Sequence, residues 1–219
     1  MRKWTLIIYG PPGCGKTTFG HSLAKATNAY YYSVGDIVRF EVKLKTNIGL
    51  KIDALLKTKE PYPVGLLTNL LSTYIISSAA PRIIIDGYPK TPDEVFDASS
   101  MLNLLNRPIT HLIRIDLSRE ESWQRSKNRI VCNHCQHPST DDKLNQTCHF
   151  CGKKFWIKRH EEDNLKDFQR RYNNFIIWTP KIVEALKTDN CRYKIIDTTD
   201  YDQTVNLVSK WLESSTIET

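Results

Sequence analysis

The chain has 219 residues, 40% of them apolar and 25% charged. That balance supports a packed core, as one domain with an insertion or one large and one small domain, and excludes a disordered chain. The net charge of +7 suits anionic partners, whether nucleotides, nucleic acid or a membrane surface.

The segment "WTLIIYG" (Trp4–Gly10) is an apolar run that reads as a buried strand. The basic start before it resembles a signal peptide only superficially. No small-residue cleavage site follows, and no run of about 18 apolar residues occurs, so neither export nor a membrane span is expected and the cytoplasm is. Directly after the strand, "GPPGCGKT" (Gly10–Thr17) fits G-x-x-x-x-G-K-[ST]. Glycines let backbone N–H groups turn inward around phosphate oxygens, and the helix that follows presents its positive end. In such a loop Lys16 reaches the β- and γ-phosphates and the Thr17 hydroxyl sits near Mg²⁺. Gly10, Gly13, Cys14, Gly15, Lys16, Thr17 and Thr18 are therefore the predicted contacts to a donor nucleotide, with Cys14 a small filler.

"TTFGHSLAKAT" (Thr17–Thr27) reads as a helix, "YYYS" (Tyr30–Ser33) as a short strand and "GDIVRFEVKLKT" as a helix. "PVGLLTNLLSTYIISS" (Pro63–Ser78) is helical, with Pro63 near its start. Further strands are predicted at Arg82–Gly87, His111–Leu117 and Tyr193–Thr199. Strands alternating with helices predict a parallel sheet of about five strands covered on both faces.

The stretch Asn133–Lys154 is polar and marks an inserted module. It lies among Cys132, Cys135, Cys148 and Cys151, two C-x₂-C pairs with twelve residues between them. Four thiolates at this spacing predict a tetrahedral Zn²⁺ with no open position, hence a structural metal. His134, His137 and His149 are competitors that would each break the paired spacing. A ribbon this short and polar cannot bury a core, so zinc supplies its folding energy.

Three more motifs carry a resemblance. "VGDIVR" (Val34–Arg39), "IDGYPK" (Ile85–Lys90) and "NRIVC" (Asn128–Cys132) follow the phosphate loop in the order seen in adenylate kinases and related nucleoside monophosphate kinases. "RHEEDNLKDFQRRYNNF" (Arg159–Phe175) is similar to the family's lid-exit pattern. The resemblance spans nearly the whole chain. It implies a P-loop core at 1–33, 79–128 and 160–219, a nucleoside monophosphate-binding segment at 34–78 and a zinc-binding lid at 129–159. It implies transfer of the γ-phosphoryl group of ATP to a nucleoside monophosphate, with ATP, Mg²⁺ and structural Zn²⁺ as cofactors and the chain acting as a monomer. Lys16 would hold the donor phosphates. Val34, Arg39, Gly87 and Lys90 would hold the acceptor. Arg129 with two lid-exit arginines would clamp the transferring group, and Asp86 would orient Mg²⁺ through water.

The chain departs from the family pattern in places. Val34 stands for Thr, and Lys90 for Arg, which keeps the charge but loses the two-pronged fork. At the lid exit two registers compete: Glu161–Glu162 pairs with Arg159 and Arg170, while Glu162–Asp163 pairs with His160 and Arg171. We favour Arg159 and Arg171. Glu94 stands where the family reads adenine with Gln; an ionised carboxylate only accepts hydrogen bonds, which suits guanine better. AMP ranks first as acceptor, with GMP or relaxed specificity second. Two rival readings are a zinc ribbon that binds nucleic acid beside a nucleotide switch, and a catalytically silent nucleotide-binding scaffold. The charge favours the first of these, but Asp141 and Asp142 sit mid-ribbon and no row of aromatics and arginines accompanies them.

Overall fold

The computed structural model describes residues 3–58, 60, 62–78, 80–135, 137–140, 143–148, 151–158, 164–187 and 191–214. Its elements run β1 (Trp4–Tyr9), α1 (Lys16–Thr27), β2 (Tyr30–Ser33), α2 (Val34–Leu44), α3 (Asn47–Thr58), α4 (Leu66–Ser78), β3 (Arg82–Asp86), α5 (Glu94–Leu104), β4 (His111–Ile115), α6 (Arg119–Lys127), β5 (Arg129–Cys132), β6 (Pro138–Thr140), β7 (Trp156–Lys158), α7 (Leu165–Leu186), β8 (Arg192–Ile196) and α8 (Tyr201–Glu213).

Five parallel strands form the main sheet in the order β2-β3-β1-β4-β8. Every residue of β1 is buried, as expected of a central strand covered on both faces. Its period-2 alternation divides the core. Ile7 and Tyr9 face one layer with Ile83, Ile85 and Leu112, against α2 to α5 and α7. Leu6 and Ile8 face the other with Ile84, Ile113 and Ile115, against Phe19 and Leu23 of α1 and Val208 and Leu212 of α8.

The predicted strands are all present, some of them ending earlier: β3 stops at Asp86, β4 at Ile115 and β8 at Ile196. The residues beyond each end turn out of the sheet as loops. Pairing Ile8 with Asp86 and Ser33 with Asp86 aligns these ends along one edge, so the loop after β1, the start of α2 and the loop after β3 converge there. Among the described residues, no helix is long and apolar enough to cross a membrane.

A second, three-stranded antiparallel sheet, β6-β5-β7, carries the cysteine pairs. Its buried cluster is small: Ile130, Cys132, Cys148 and Trp156.

Candidate functional site

The phosphate loop spans the gap from β1 to α1. At Gly13 φ is +74°, and an added Cβ would lie 2.7 Å from both Ser122 O and Ser126 Oγ of α6. Only glycine fits both the left-handed backbone and that close approach. The Ser122 hydroxyl donates to Pro12 O. Helix α6 therefore braces the loop from outside and leads directly into Arg129, the first residue of β5. Lys16 opens α1, and its Nζ donates to Gly10 O at 2.7 Å and Pro11 O at 3.0 Å. The ammonium is thus held within the loop itself. Cys14 is fully buried, and burial pushes its thiol above the ordinary value. It packs as a small neutral side chain.

Asp86, the last residue of β3, is only 6% exposed. Burial raises its carboxyl above the usual carboxylate value, opposed by the Lys16 charge and a hydrogen bond from Tyr31. The Tyr31 phenol donates to Asp86 Oδ2 at 2.8 Å. Beside it, the Ser33 hydroxyl caps α2 by accepting from Asp36 N at 3.3 Å. Val34 is buried under that turn, and Arg39 pairs with Asp36 one turn earlier on the same helix. Gly87 and Lys90 lie in the loop after β3. There Glu94 Oε2 accepts from Lys90 N at 2.6 Å and Thr91 N at 3.2 Å. That is the reach-back of a Thr-x-x-Glu helix start.

Of the lid-exit candidates, Arg159, His160, Glu161, Glu162 and Asp163 lie outside the described residues. Asn164 caps α7 by accepting from Asp167 N at 3.0 Å. Arg170 is exposed and bonds Asp167 at 3.1 Å. Arg171 turns inward, with its Nε enclosed by protein.

The four cysteine Sγ atoms all lie within 4.8 Å of one another, with Cys132–Cys151 at 3.6 Å and Cys135–Cys148 at 3.7 Å. A tetrahedral zinc with Zn–S of about 2.3 Å spaces its sulfurs by about 3.8 Å, so the cluster fits that ion. Tight turns aim the thiols: Cys132 N donates to His137 O at 3.0 Å and Cys148 N to Lys153 O at 2.8 Å. Burial alone would raise the Cys132 thiol, but N–H groups of Cys135 and His134 and the neighbouring thiols outweigh it and bring it down to about 7. His137 is not one of the cluster; its ring lies 6.1 Å from that of His21 on α1. His149 and the aspartates Asp141 and Asp142 lie outside the described residues.

The structure adds a cavity that motif reading missed. It measures about 400 Å³ and is lined by Arg114, Asp116, Arg125, Tyr172, Phe175 and Thr198, among others. Arg114 grips Asp116 with two hydrogen bonds, at 2.6 and 3.1 Å. The Thr198 hydroxyl donates to Cys14 O at 3.5 Å, so this cavity adjoins the phosphate loop. Arg125 lies in the last turn of α6, the helix that leads into Arg129, and no motif pointed to it. Tyr31 carried no signal beyond its place in a tyrosine-rich strand.

The family model for adenylate kinase matches residues 8–191. An adenylate kinase of Pelagibacter ubique is 28% identical over 211 residues, covering 95% of this chain and 99% of that protein. One from Thermosipho melanesiensis is 27% identical, covering 93% and 96%, and one from Pyrococcus horikoshii is 28% identical, covering 87% of each. With the family model covering most of a chain that carries a phosphate loop, a parallel sheet and a four-cysteine module, the chain belongs to the adenylate kinase family and is a phosphotransferase, a nucleoside monophosphate kinase.

Proposed function

We propose that the chain transfers the γ-phosphoryl group of ATP to AMP, giving two ADP. The observation that carries this is the gathering of charge around Asp86 at one edge of the sheet: Lys16, Lys90 and Asp36 act on its carboxyl, and Arg39 pairs with Asp36. Phosphoryl transfer asks a protein chiefly to position two polyanions and neutralise their charge. Lys16 serves the donor phosphates, Arg39 and Lys90 the acceptor phosphate. Arg129, Arg159 and Arg171 clamp the group in flight. The cavity beside Cys14 O takes the donor nucleoside, between Arg125 and the rings of Tyr172 and Phe175.

Asp86 and Thr17 offer hard oxygen donors of the type Mg²⁺ takes, and they would hold it, Asp86 through water. When bound, Mg²⁺ neutralises charge on the β- and γ-oxygens. Segments 34–78 and 129–159 act as the closing parts, and closure excludes water from the transferring group.

The acceptor base follows from Glu94. Its carboxylate is engaged by two N–H groups of its own turn. Both bonds fall on Oε2 and tie the carboxylate to its own turn, which supports its being a helix-start group rather than the base reader, and so AMP as first substrate with GMP behind it. The same carboxylate is replaceable there, since Gln also completes a helix start of this kind.

A panel of AMP, GMP, CMP, UMP and TMP with ATP tests the substrate. AMP is expected to give the highest kcat/KM. Glu94→Gln is expected to shift the AMP-to-GMP ratio by less than about threefold, whereas contact with the base would move it roughly tenfold or more. Lys16→Ala is expected to lower kcat by about a hundredfold or more, because that cation matters most in the transition state. Unchanged turnover in Lys16→Ala would sink the assignment of the loop.

A further inference from the structure

We infer that Tyr31 is a positioning residue for the catalytic cation, setting the Asp86 carboxylate that faces it through water. The inference rests on the reading that Thr17 and Asp86 hold Mg²⁺.

The geometry is specific. Tyr31 lies on β2, and its phenol donates to Asp86 Oδ2 at 2.8 Å. The Thr17 hydroxyl adjoins the same phenol. A phenol has one hydrogen, and here Asp86 Oδ2 takes it. Asp86 keeps Oδ1 clear of this bond. The phenol thus orients the cation-facing carboxylate at the strand end, beside the helix that follows the phosphate loop.

The ring is held as firmly as the hydroxyl. A Cβ added at Gly20 would sit 2.1 Å from Tyr31 Cε2, so the ring packs flat on the glycine of α1. From the other side the His21 ring approaches to 4.5 Å. A glycine one turn into α1 therefore makes room for this tyrosine. Outer groups of this sort typically govern metal affinity by fixing the orientation of the groups that meet the metal.

Two affinities separate positioning from plain structure: that of metal-free ATP by calorimetry, and that of Mn²⁺·ATP by water-proton relaxation. Tyr31→Phe keeps the ring and removes the hydroxyl. It is expected to weaken Mn²⁺·ATP by roughly tenfold while moving metal-free ATP by less than about twofold. Gly20→Ala displaces the ring with the hydroxyl still present, and is expected to give the same split. Where Tyr31→Phe fails to fold, Gly20→Ala decides. Equal weakening of both ligands would mean that Tyr31 only shapes the loop, and would overturn the inference; so would wild-type affinities in both variants. A wild-type protein whose affinity for ATP gains nothing from Mn²⁺ overturns it as well. A wild-type protein that shows the split but phosphorylates no monophosphate removes the proposed activity and leaves this assignment standing.

Discussion

Asp86 is a carboxylate buried at a strand end, where it costs the fold something. Its ionised form loses hydration, which Lys16 and Tyr31 offset only in part, so its folded value stands above the unfolded one. The sign follows directly. A raised folded value means that the folded chain holds the proton longer than the unfolded chain. Stability associated with this group is full below the unfolded carboxylate value and is lost as pH rises through the folded value. Above that window the buried charge is a cost to the fold. Asp86→Asn is therefore expected to raise Tm of the metal-free protein at neutral pH while abolishing most activity. The gap in Tm should close as pH falls through the folded value of Asp86, a trend that thermal melts at several pH values would read. A variant less stable than wild type at neutral pH would show that the bond from Tyr31 outweighs desolvation.

At the scale of elements, the four-cysteine sheet raises a question of magnitude. Its buried cluster amounts to Ile130 and Trp156 with two cysteines. Two apolar side chains contribute about 3–6 kcal/mol of burial. A structural zinc at four thiolates contributes about 10–16 kcal/mol in small zinc modules. A zinc held by the four thiolates would dominate, and β5, β6 and β7 would depend on it. One zinc per chain is expected on metal analysis. Cys132→Ser should lower Tm and zinc content together, and alter the chemistry of a closed complex much less. A folded, active protein containing no zinc would refute this. The joint between α2 and α3 is set by a different device. A Cβ at Gly49 would lie 2.0 Å from Glu41 O, so the two helices touch backbone to backbone. The Glu41 carboxylate accepts from Tyr74 at 2.6 Å, tying α4 into the same joint.

For the whole molecule, the sites lie on segments from both ends of the chain. Thr198 of the loop after β8 bonds the phosphate loop near the N-terminus, and α6 braces that loop from mid-chain. Ligands that fill the site should therefore stabilise the fold as one unit. At about one hundred times Kd a nucleotide adds about 2.7 kcal/mol. For a chain of this size that is roughly 5–10 °C in Tm. Melts with ATP and AMP, singly and together, would measure it. A shift confined to one of the two nucleotides would mean that only one of the two sites exists.

The phosphate loop, the alternating strands and the cysteine spacing were legible because each is a local rule. A glycine-rich turn, a period of two and a C-x₂-C pair are set by neighbours in sequence, and they led to the right fold class and to the four-cysteine cluster. The strand ends at Ile115 and Ile196 were less legible, because each is set by its partner: the two residues face each other as the last registered pair of β4 and β8. The partner of Tyr31 was decided only by tertiary contact, whereas those of Glu94 are local. Tyr31 reads as one of three tyrosines in a strand until β2 is laid beside β3 and its hydroxyl meets Asp86, 55 positions away. Glu94 reads as a base contact by resemblance, while the Thr91-x-x-Glu94 spacing already offers it the two backbone donors of its own turn. A partner far along the chain is chosen by distance in space and by the desolvation of whatever is left unpaired, and neither is written in the spacing of residues along the chain.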